Sequence, residues 1–283
     1  MLGLYGLMLG SAILVFLAIR RSHRSQEELL NYSLTGARVS DGDHNDLATE
    51  VRSYLKERAL IISSLLVRAA SEIHLHESGR PDGQVVTRQV QNTFLRQRGL
   101  WDKLEPDEAV LMATPDGGWE QEHRNQVTEW CEQLRLLRWA LRIDLELTPL
   151  AHFPKADLAL ARELTSSAKL QPSSGPLLGA WDLRQERDIA SGYLAHVFGE
   201  LKGRGLIGNG AESEVWAAQI RDQFSGPSKD LLAGSKTIGE LDETNLRLIG
   251  LMAAARQQYA AYLAEQMASD TPISFTVWLS RVH

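Results

Sequence analysis

The sequence has a single cysteine, Cys131, and no excess of positive charge. One cysteine cannot form an intrachain disulfide, which indicates a reducing compartment for the folded part. Its 30 Lys and Arg residues are outnumbered by 36 Asp and Glu, so the formal net charge is -6. This sign argues against nucleic acid as a partner. Because 43% of the 283 residues are hydrophobic, wholesale disorder is excluded as well.

Motifs for catalysis are also scarce. The chain has no Gly-x-Ser-x-Gly, Cys-x-x-Cys or His-Glu-x-x-His spacing. Residues 203–208 match Gly-x-Gly-x-x-Gly, but a helical pattern precedes them where a dinucleotide site needs a strand, which favours a helix stop and a turn. Cys131 lies beside an apolar helical stripe and is predicted to be a packed, inert thiol.

An uncharged apolar run occupies residues 2–19. As a helix it spans about 27 Å, close to the bilayer hydrocarbon thickness of about 30 Å. Arg20, Arg21 and Arg24 follow the run, whereas a signal peptide carries its basic residues before it. We therefore expect a single transmembrane helix in the plasma (inner) membrane, with the C-terminal body in the cytoplasm. A cleaved signal peptide and a buried core helix are the alternatives.

A Gly-x-x-x-Gly pair, Gly6 and Gly10, lies within this run. Small residues at this spacing allow two membrane helices to approach closely, which would make the protein a homodimer. The alternative is that these glycines are ordinary, since glycine is common in membrane helices.

The remaining sequence has helical periodicity and predicts an all-α fold, with the transmembrane helix followed by a multi-helix soluble bundle. The predicted parts are an anchor and basic flank (1–24), a juxtamembrane helix and linker (25–46) and a helical domain (47–283) with a possible internal boundary at 166–182. Helices are expected at about 46–78, 85–98, 106–113, 127–145, 157–164, 183–202, 211–224 and 242–268. Only residues 273–279 have β-type composition.

A third of the chain resembles a known family. The matching residues are two arginines, a helix start and a Trp-containing stretch: Arg58, Arg68, residues 104–108, Glu132 and residues 137–142. Over residues 51–149 these resemble the bacterial domain of unknown function 4272 family, although that family has an apolar residue in place of Arg138 and a glycine in place of Arg142. The resemblance implies a mostly helical fold and no established activity.

Glu72 and His76 are candidate metal ligands. They are four residues apart and share a helix face, so they can bind one zinc or manganese ion if two more ligands come from elsewhere. Two groups can supply these ligands: Glu120, Glu122 and His123, or Asp43, His44 and Asp46. The alternative is a solvated polar helix end with no cofactor.

Arg135, Arg138 and Arg142 are candidate partner-binding residues. They follow one another at spacings of three and four, near Trp130 and Trp139, and Trp and Arg are enriched at binding hot spots. Alternatively, the indoles pack in the core and the arginine stems cover them. These patterns favour a membrane-anchored cytoplasmic module for protein interaction or scaffolding. The rival hypothesis is a membrane-tethered metal-dependent hydrolase.

Overall fold

The computed structural model describes residues 41–79, 87–150, 177–207, 232–233, 236–268 and 273–282. The chain divides into two compact units, Met1–Asp46 and Leu47–His283. The predicted anchor, with Gly6 and Gly10, lies outside the described residues, as do the helices expected at 157–164 and 211–224. Among the helices that are described, none is long and apolar enough to cross a membrane.

The described part of the chain is helical apart from one pair of two-residue strands, which agrees with the predicted all-α class. Its helices are α1 (Asp41–Ser78), α2 (Arg88–Gln97), α3 (Pro106–Ala113), α4 (Gln121–Asn125), α5 (Val127–Ala140), α6 (Ala180–Gly203), α7 (Glu243–Gln266) and α8 (Phe275–Val282). Short 3-10 turns occupy Trp101–Lys103 and Ile238–Glu240. Two strands of two residues, β1 (Leu232–Ala233) and β2 (Lys236–Thr237), pair antiparallel with Leu232 opposite Thr237.

Helix α1 begins earlier than predicted and ends where predicted. It begins at Asp41 rather than near Asp46, so Gly42 lies inside it. One glycine costs a helix only about 1 kcal/mol relative to alanine, which is too little to end it. After Ser78, Gly79 adopts a φ of 66° and its N–H donates to the carbonyl of Leu75 at 2.9 Å. This left-handed glycine is the predicted helix stop.

Helix α5 ends at Ala140, five residues before the predicted end at Leu145. Arg142 has a φ of 57°, its N–H donates to the Trp139 carbonyl, and the N–H of Ile143 donates to the Arg138 carbonyl at 2.9 Å. This pair of bonds is a Schellman motif, which usually has glycine at the left-handed position. Because this position holds an arginine, the sequence did not indicate where the helix ends. Leu145 is 81% exposed and does not belong to the apolar stripe.

The tail with β-type composition forms helix α8 rather than a strand. Phe275 packs on Tyr259 and Tyr262 of α7, with both ring centroid distances at 5.1 Å. The Glu105 carboxylate accepts the N–H groups of Phe275 and Thr276 at 3.1 and 3.2 Å. The carboxylate of Glu105, the residue just before α3, therefore caps the first turn of α8, which no local sequence signal indicates.

The described residues of the Leu47–His283 unit form two apolar cores. The larger includes side chains of α1, α2, α3, α5, α7 and α8, and the smaller lies mainly between α6 and α7. Gly250 permits the close approach of α6 to α7, because a Cβ there would lie 3.0 Å from Cγ1 of Val197. On α2, Gln91 and Leu95 are buried, whereas Val90 is 56% exposed.

Candidate functional site

The first buried charge cluster surrounds Arg68 on α1. Its Nη1 lies 2.6 Å from Oε1 of Glu72 and 2.8 Å from Oδ1 of Asp116. Its Nη2 donates to the Thr114 carbonyl at 3.2 Å, and the guanidinium lies 5.8 Å from the ring centroid of Trp119. Arg68 is fully buried. These contacts attach the loop before α4 to α1.

Glu72 has protein partners on both carboxylate oxygens. Its Oε1 accepts the N–H of Gly117 at 2.9 Å, and its Oε2 accepts the N–H of Trp119 at 3.1 Å. Glu72 is buried, whereas His76, one turn later, is exposed. The Glu72 carboxylate is therefore not solvated, and the two side chains do not form an open pair of ligands. Across the described ranges no three His, Cys, Asp or Glu side chains are placed to hold a metal ion. A metal at Glu72 and His76 stays a prediction.

The second cluster surrounds Arg256 on α7, which is also fully buried. Its Nε donates to Oε2 of Glu132 on α5 at 2.7 Å, and its Nη1 donates to Glu186 on α6 and to the Thr148 carbonyl at 3.0 and 2.9 Å. One guanidinium thus joins three helices and the chain after α5. Burial raises the pKa of Glu186, against the lowering effect of Arg256.

The three arginines of the predicted partner site have different environments. Arg135 is buried, with Nη1 2.5 Å from Oε1 of Glu132. Arg138 is buried and forms a bidentate pair with Asp144, with both distances at 2.6 Å. Arg142 is half-buried beyond the end of α5. The structure therefore does not present the three as one exposed arginine face, because two of them are held in internal ion pairs.

The tryptophans near these arginines belong to the packed interior. Trp119 and Trp130 are buried, with ring centroids 5.9 Å apart in an edge-to-face arrangement. Trp139 is half-buried and packs against the larger core. Cys131 is also buried. These positions agree with the expectation of core indoles and a packed thiol.

The third cluster surrounds Arg58 on α1. Its Nη1 and Nη2 donate to the two oxygens of Glu108 on α3, at 3.0 and 2.7 Å. Oε1 of Glu105, whose carboxylate also caps α8, lies 3.9 Å from Nη2 of Arg58. Burial raises the pKa of Glu105, as does the neighbouring Glu108, whereas Arg58 lowers it. The cluster joins α1, α3 and the C-terminal helix.

A pair of tyrosine hydroxyls holds the chain before α8. Oη of Tyr54 on α1 lies 2.5 Å from Oη of Tyr262 on α7. The carbonyl oxygen of Ile273 lies 2.8 Å from Oη of Tyr262 and 3.2 Å from Oη of Tyr54. Because each hydroxyl has one proton, the distances fit Tyr262 donating to the carbonyl and Tyr54 donating to Tyr262. Burial raises the pKa of both tyrosines, so they are protonated donors at neutral pH. Their role in this geometry is to position α8.

Two contacts between an exposed arginine and a half-buried aromatic ring at the end of α2 were not predicted from the sequence. The guanidinium carbon of Arg96 lies 4.0 Å from the ring centroid of Trp101, and that of Arg98 lies 4.8 Å from that of Phe94. A signal was available: residues 87–101 contain three arginines and no Asp or Glu, within a chain of net charge -6.

Comparisons with protein-family models, curated proteins and solved structures found no match for this chain. The resemblance to the domain of unknown function 4272 family therefore stays a prediction.

Proposed function

We propose that the protein is a single-pass membrane protein whose helical body binds a protein partner at the cytoplasmic face. One observation supports binding rather than catalysis: the buried arginines of the described body are engaged in structural ion pairs. Arg58, Arg68 and Arg256 each join separate helices or loops through carboxylates. Buried groups of this kind fix the relative positions of helices, and catalysis needs groups that can reach a substrate.

The anchor is proposed from the sequence. Residues 2–19 are apolar and long enough to cross a bilayer, and the arginines after them favour a cytoplasmic body. Close packing of two anchors through Gly6 and Gly10 would bring two bodies together and make the module a homodimer.

Capture from native membranes tests the proposal. The full chain carries a C-terminal affinity tag, is cross-linked in its own membrane, and is purified through a high-salt wash. We expect one protein to be recovered in a constant ratio to the chain. The control is residues 1–46 with the same tag, which retains the anchor and lacks the body. Equal recovery with both baits, or none with either, would refute a partner-binding body.

Metal content of the purified full chain separates this proposal from the hydrolase. The informative variant is His76→Ala, because His76 is exposed and its loss leaves the Arg68 cluster intact. Glu72→Gln also disturbs the bond to Arg68, so it is interpreted only beside a folded control. One zinc or manganese ion per chain that is lost with His76→Ala would support the hydrolase and contradict the proposed function.

A further inference from the structure

Helix α8 packs on the body as a bound helical peptide would. Phe275 and Trp278 are buried, and Leu279 is half-buried against the larger core. These three side chains are spaced as i, i+3 and i+4, which is the pattern by which an amphipathic helix binds a groove in another protein. The opposite face is exposed at Thr276, Val277, Ser280 and Arg281.

The surface beneath these anchors is aromatic. Tyr259 and Tyr262 of α7 are fully buried, and the ring centroid of each lies 5.1 Å from that of Phe275. Trp278 stacks on Phe275 with the centroids 5.9 Å apart, and its Nε1 donates to the Glu265 carboxylate at 2.6 Å. Departure of α8 would remove this cover from the two tyrosines and leave an apolar surface that favours a protein contact.

The polar contacts at the start of α8 are made to its backbone. Glu105 accepts the first two N–H groups of the helix. Just before the helix, the N–H of Ile273 donates to Oε1 of Gln266 at 3.0 Å, and the Ile273 carbonyl accepts the Tyr262 hydroxyl. Any helical segment in this place offers the same N–H and carbonyl groups. These bonds therefore position a helix without selecting its sequence, and selectivity comes from the anchor side chains.

Three features favour the replacement of α8 by another segment. The helix has eight residues, and a helix of that length is not stable alone in water, so its structure depends on docking. Of the ion pairs between described residues, none involves α8, whereas Arg58 and Arg256 join other helices through such pairs. Among the described residues, Nε2 of the buried Gln266 also has no hydrogen-bond partner, which is unfavourable. A segment with an acceptor at this point would be held more tightly than α8.

We propose that the groove beneath α8 is the partner-binding site of the body, and that α8 occupies it as an internal substitute for the partner. We call this site the α8 groove, and it consists of Glu105, Tyr259, Tyr262 and Gln266. Its occupant is a helical segment of another protein with aromatic residues at i and i+3 and leucine at i+4, because these are the anchors of α8 that fill the groove. The proposal rests on the proposed function and names the place and chemistry of the contact.

Hydrogen–deuterium exchange of the full-length wild type in detergent tests whether α8 leaves the groove. The amides of residues 278–282 should exchange at least roughly tenfold faster than those of residues 250–262 in the middle of α7, because release of α8 does not require global unfolding. Equal protection of α8 and α7 would overturn the proposal, since α8 would then leave the groove only when the body unfolds.

Binding of a peptide tests the groove itself. The probe is a fluorescein-labelled peptide with the sequence of residues 273–283, and its binding to the full-length protein in detergent is followed by fluorescence anisotropy. Phe275→Ala/Trp278→Ala removes two anchors from α8 and leaves the groove unchanged, so the peptide should bind at least roughly tenfold more tightly than to the wild type, in which α8 competes. The matched control, Thr276→Ala/Ser280→Ala, changes two exposed positions on the same helix and should bind the peptide as weakly as the wild type.

The anchors of the peptide provide a second control. A peptide with alanine in place of Phe275 and Trp278 should not bind to any of these proteins. The thermal midpoint of each variant shows whether it is folded. Equal affinity of the folded Phe275→Ala/Trp278→Ala variant and the wild type for the labelled peptide would overturn the proposal.

Competition with the unlabelled peptide separates this proposal from the proposed function. An excess of the peptide, added to permeabilised membranes before cross-linking, should reduce the recovery of the partner with the full chain. Undiminished recovery would refute the α8 groove and leave the proposed function intact, whereas recovery of no partner refutes the proposed function. Recovery of a second copy of this chain that the peptide releases would make α8 of another copy the occupant, which would overturn the proposal.

Discussion

Arg256 of α7 and Glu132 of α5 form an ion pair in which both side chains are fully buried, with Nη2 and Oε2 2.5 Å apart. Glu186 of α6 completes the contact from a third helix, with its Oε1 3.0 Å from Nη1. Burying charges is costly, and their attraction offsets this cost only when each charge has well-placed partners. The pair therefore favours one register of α5, α6 and α7.

Loss of the arginine should destabilise the protein strongly. Arg256→Met removes the partner that Glu132 and Glu186 share, and breaking a buried pair in this way typically costs about 3–5 kcal/mol. The measurement is the free energy of unfolding from urea denaturation of the full chain in detergent.

A surface pair on the same helix provides the control. Arg247 pairs with Glu243, and both side chains are about half exposed. Arg247→Met should cost no more than about 1 kcal/mol, because exposed pairs are weak. Similar costs for Arg247→Met and Arg256→Met would show that burial of the Arg256 pair has no particular effect on stability.

Ionisation of Glu129 should lower the free energy of unfolding as pH rises. Burial raises the pKa of this carboxyl above its ordinary value of 4.5, opposed only by the hydrogen bond from Gln133. An acid with a raised pKa binds its proton more tightly in the folded state, so ionisation destabilises the fold as pH rises from about 4.5 through the folded pKa.

The isosteric change Glu129→Gln keeps an acceptor for Gln133 and removes the ionisation. The variant should have a higher thermal midpoint than the wild type at neutral pH, and the difference should disappear near pH 4, below both pKa values. A difference that is constant with pH would contradict the assigned cause.

Arg142→Gly should stabilise the protein. The left-handed conformation of a non-glycine residue costs about 1–3 kcal/mol, and glycine would remove this cost. Glycine also makes the unfolded chain more flexible, which offsets about 0.4–1 kcal/mol of the stabilisation. We therefore expect a net increase of roughly 1 kcal/mol in the free energy of unfolding. Arg142→Ala is the control, since it removes the side chain and keeps the strain. Greater stability of Arg142→Ala than of Arg142→Gly would contradict the explanation.

Helical periodicity predicted the all-α class and placed α3, α6 and α7 to within a few residues, because long apolar stripes and clear stop signals define them. It failed where tertiary contacts decide the local structure. The end of α5 depends on Arg142 in the left-handed conformation, at a position where glycine would have indicated the helix end. Helix α8 depends on a cap from Glu105, 170 residues away in sequence from Phe275.

The candidate sites were harder to predict because sequence shows residue type and helix spacing, and burial is set by packing. Glu72 was selected as a ligand from its spacing to His76, yet its carboxylate is enclosed by the Gly117 and Trp119 N–H groups. Arg138 was selected because of its position on the helix, yet its guanidinium pairs with Asp144, which follows the early end of α5. Arg256 was missed because it lies within an otherwise apolar stripe.

The orientation of the chain is tested by a reporter fused after His283. We expect a cytoplasmic reporter to be active and an extracytoplasmic one to be silent, because Arg20, Arg21 and Arg24 follow the apolar run. Replacing the three arginines by glutamine should reduce this bias. An active extracytoplasmic reporter on the wild-type chain would reverse the proposed orientation.

The central claim is that the helical body binds a protein partner. The most direct measurement is site-specific photo-cross-linking in native membranes, with p-benzoylphenylalanine placed singly at four exposed apolar positions on different helices, Val90, Val110, Ile189 and Leu251. We predict one discrete adduct from some of these positions and none from the others, because a docked partner covers one side of the body. No adduct from any position, or the same adduct from all four, would contradict the claim.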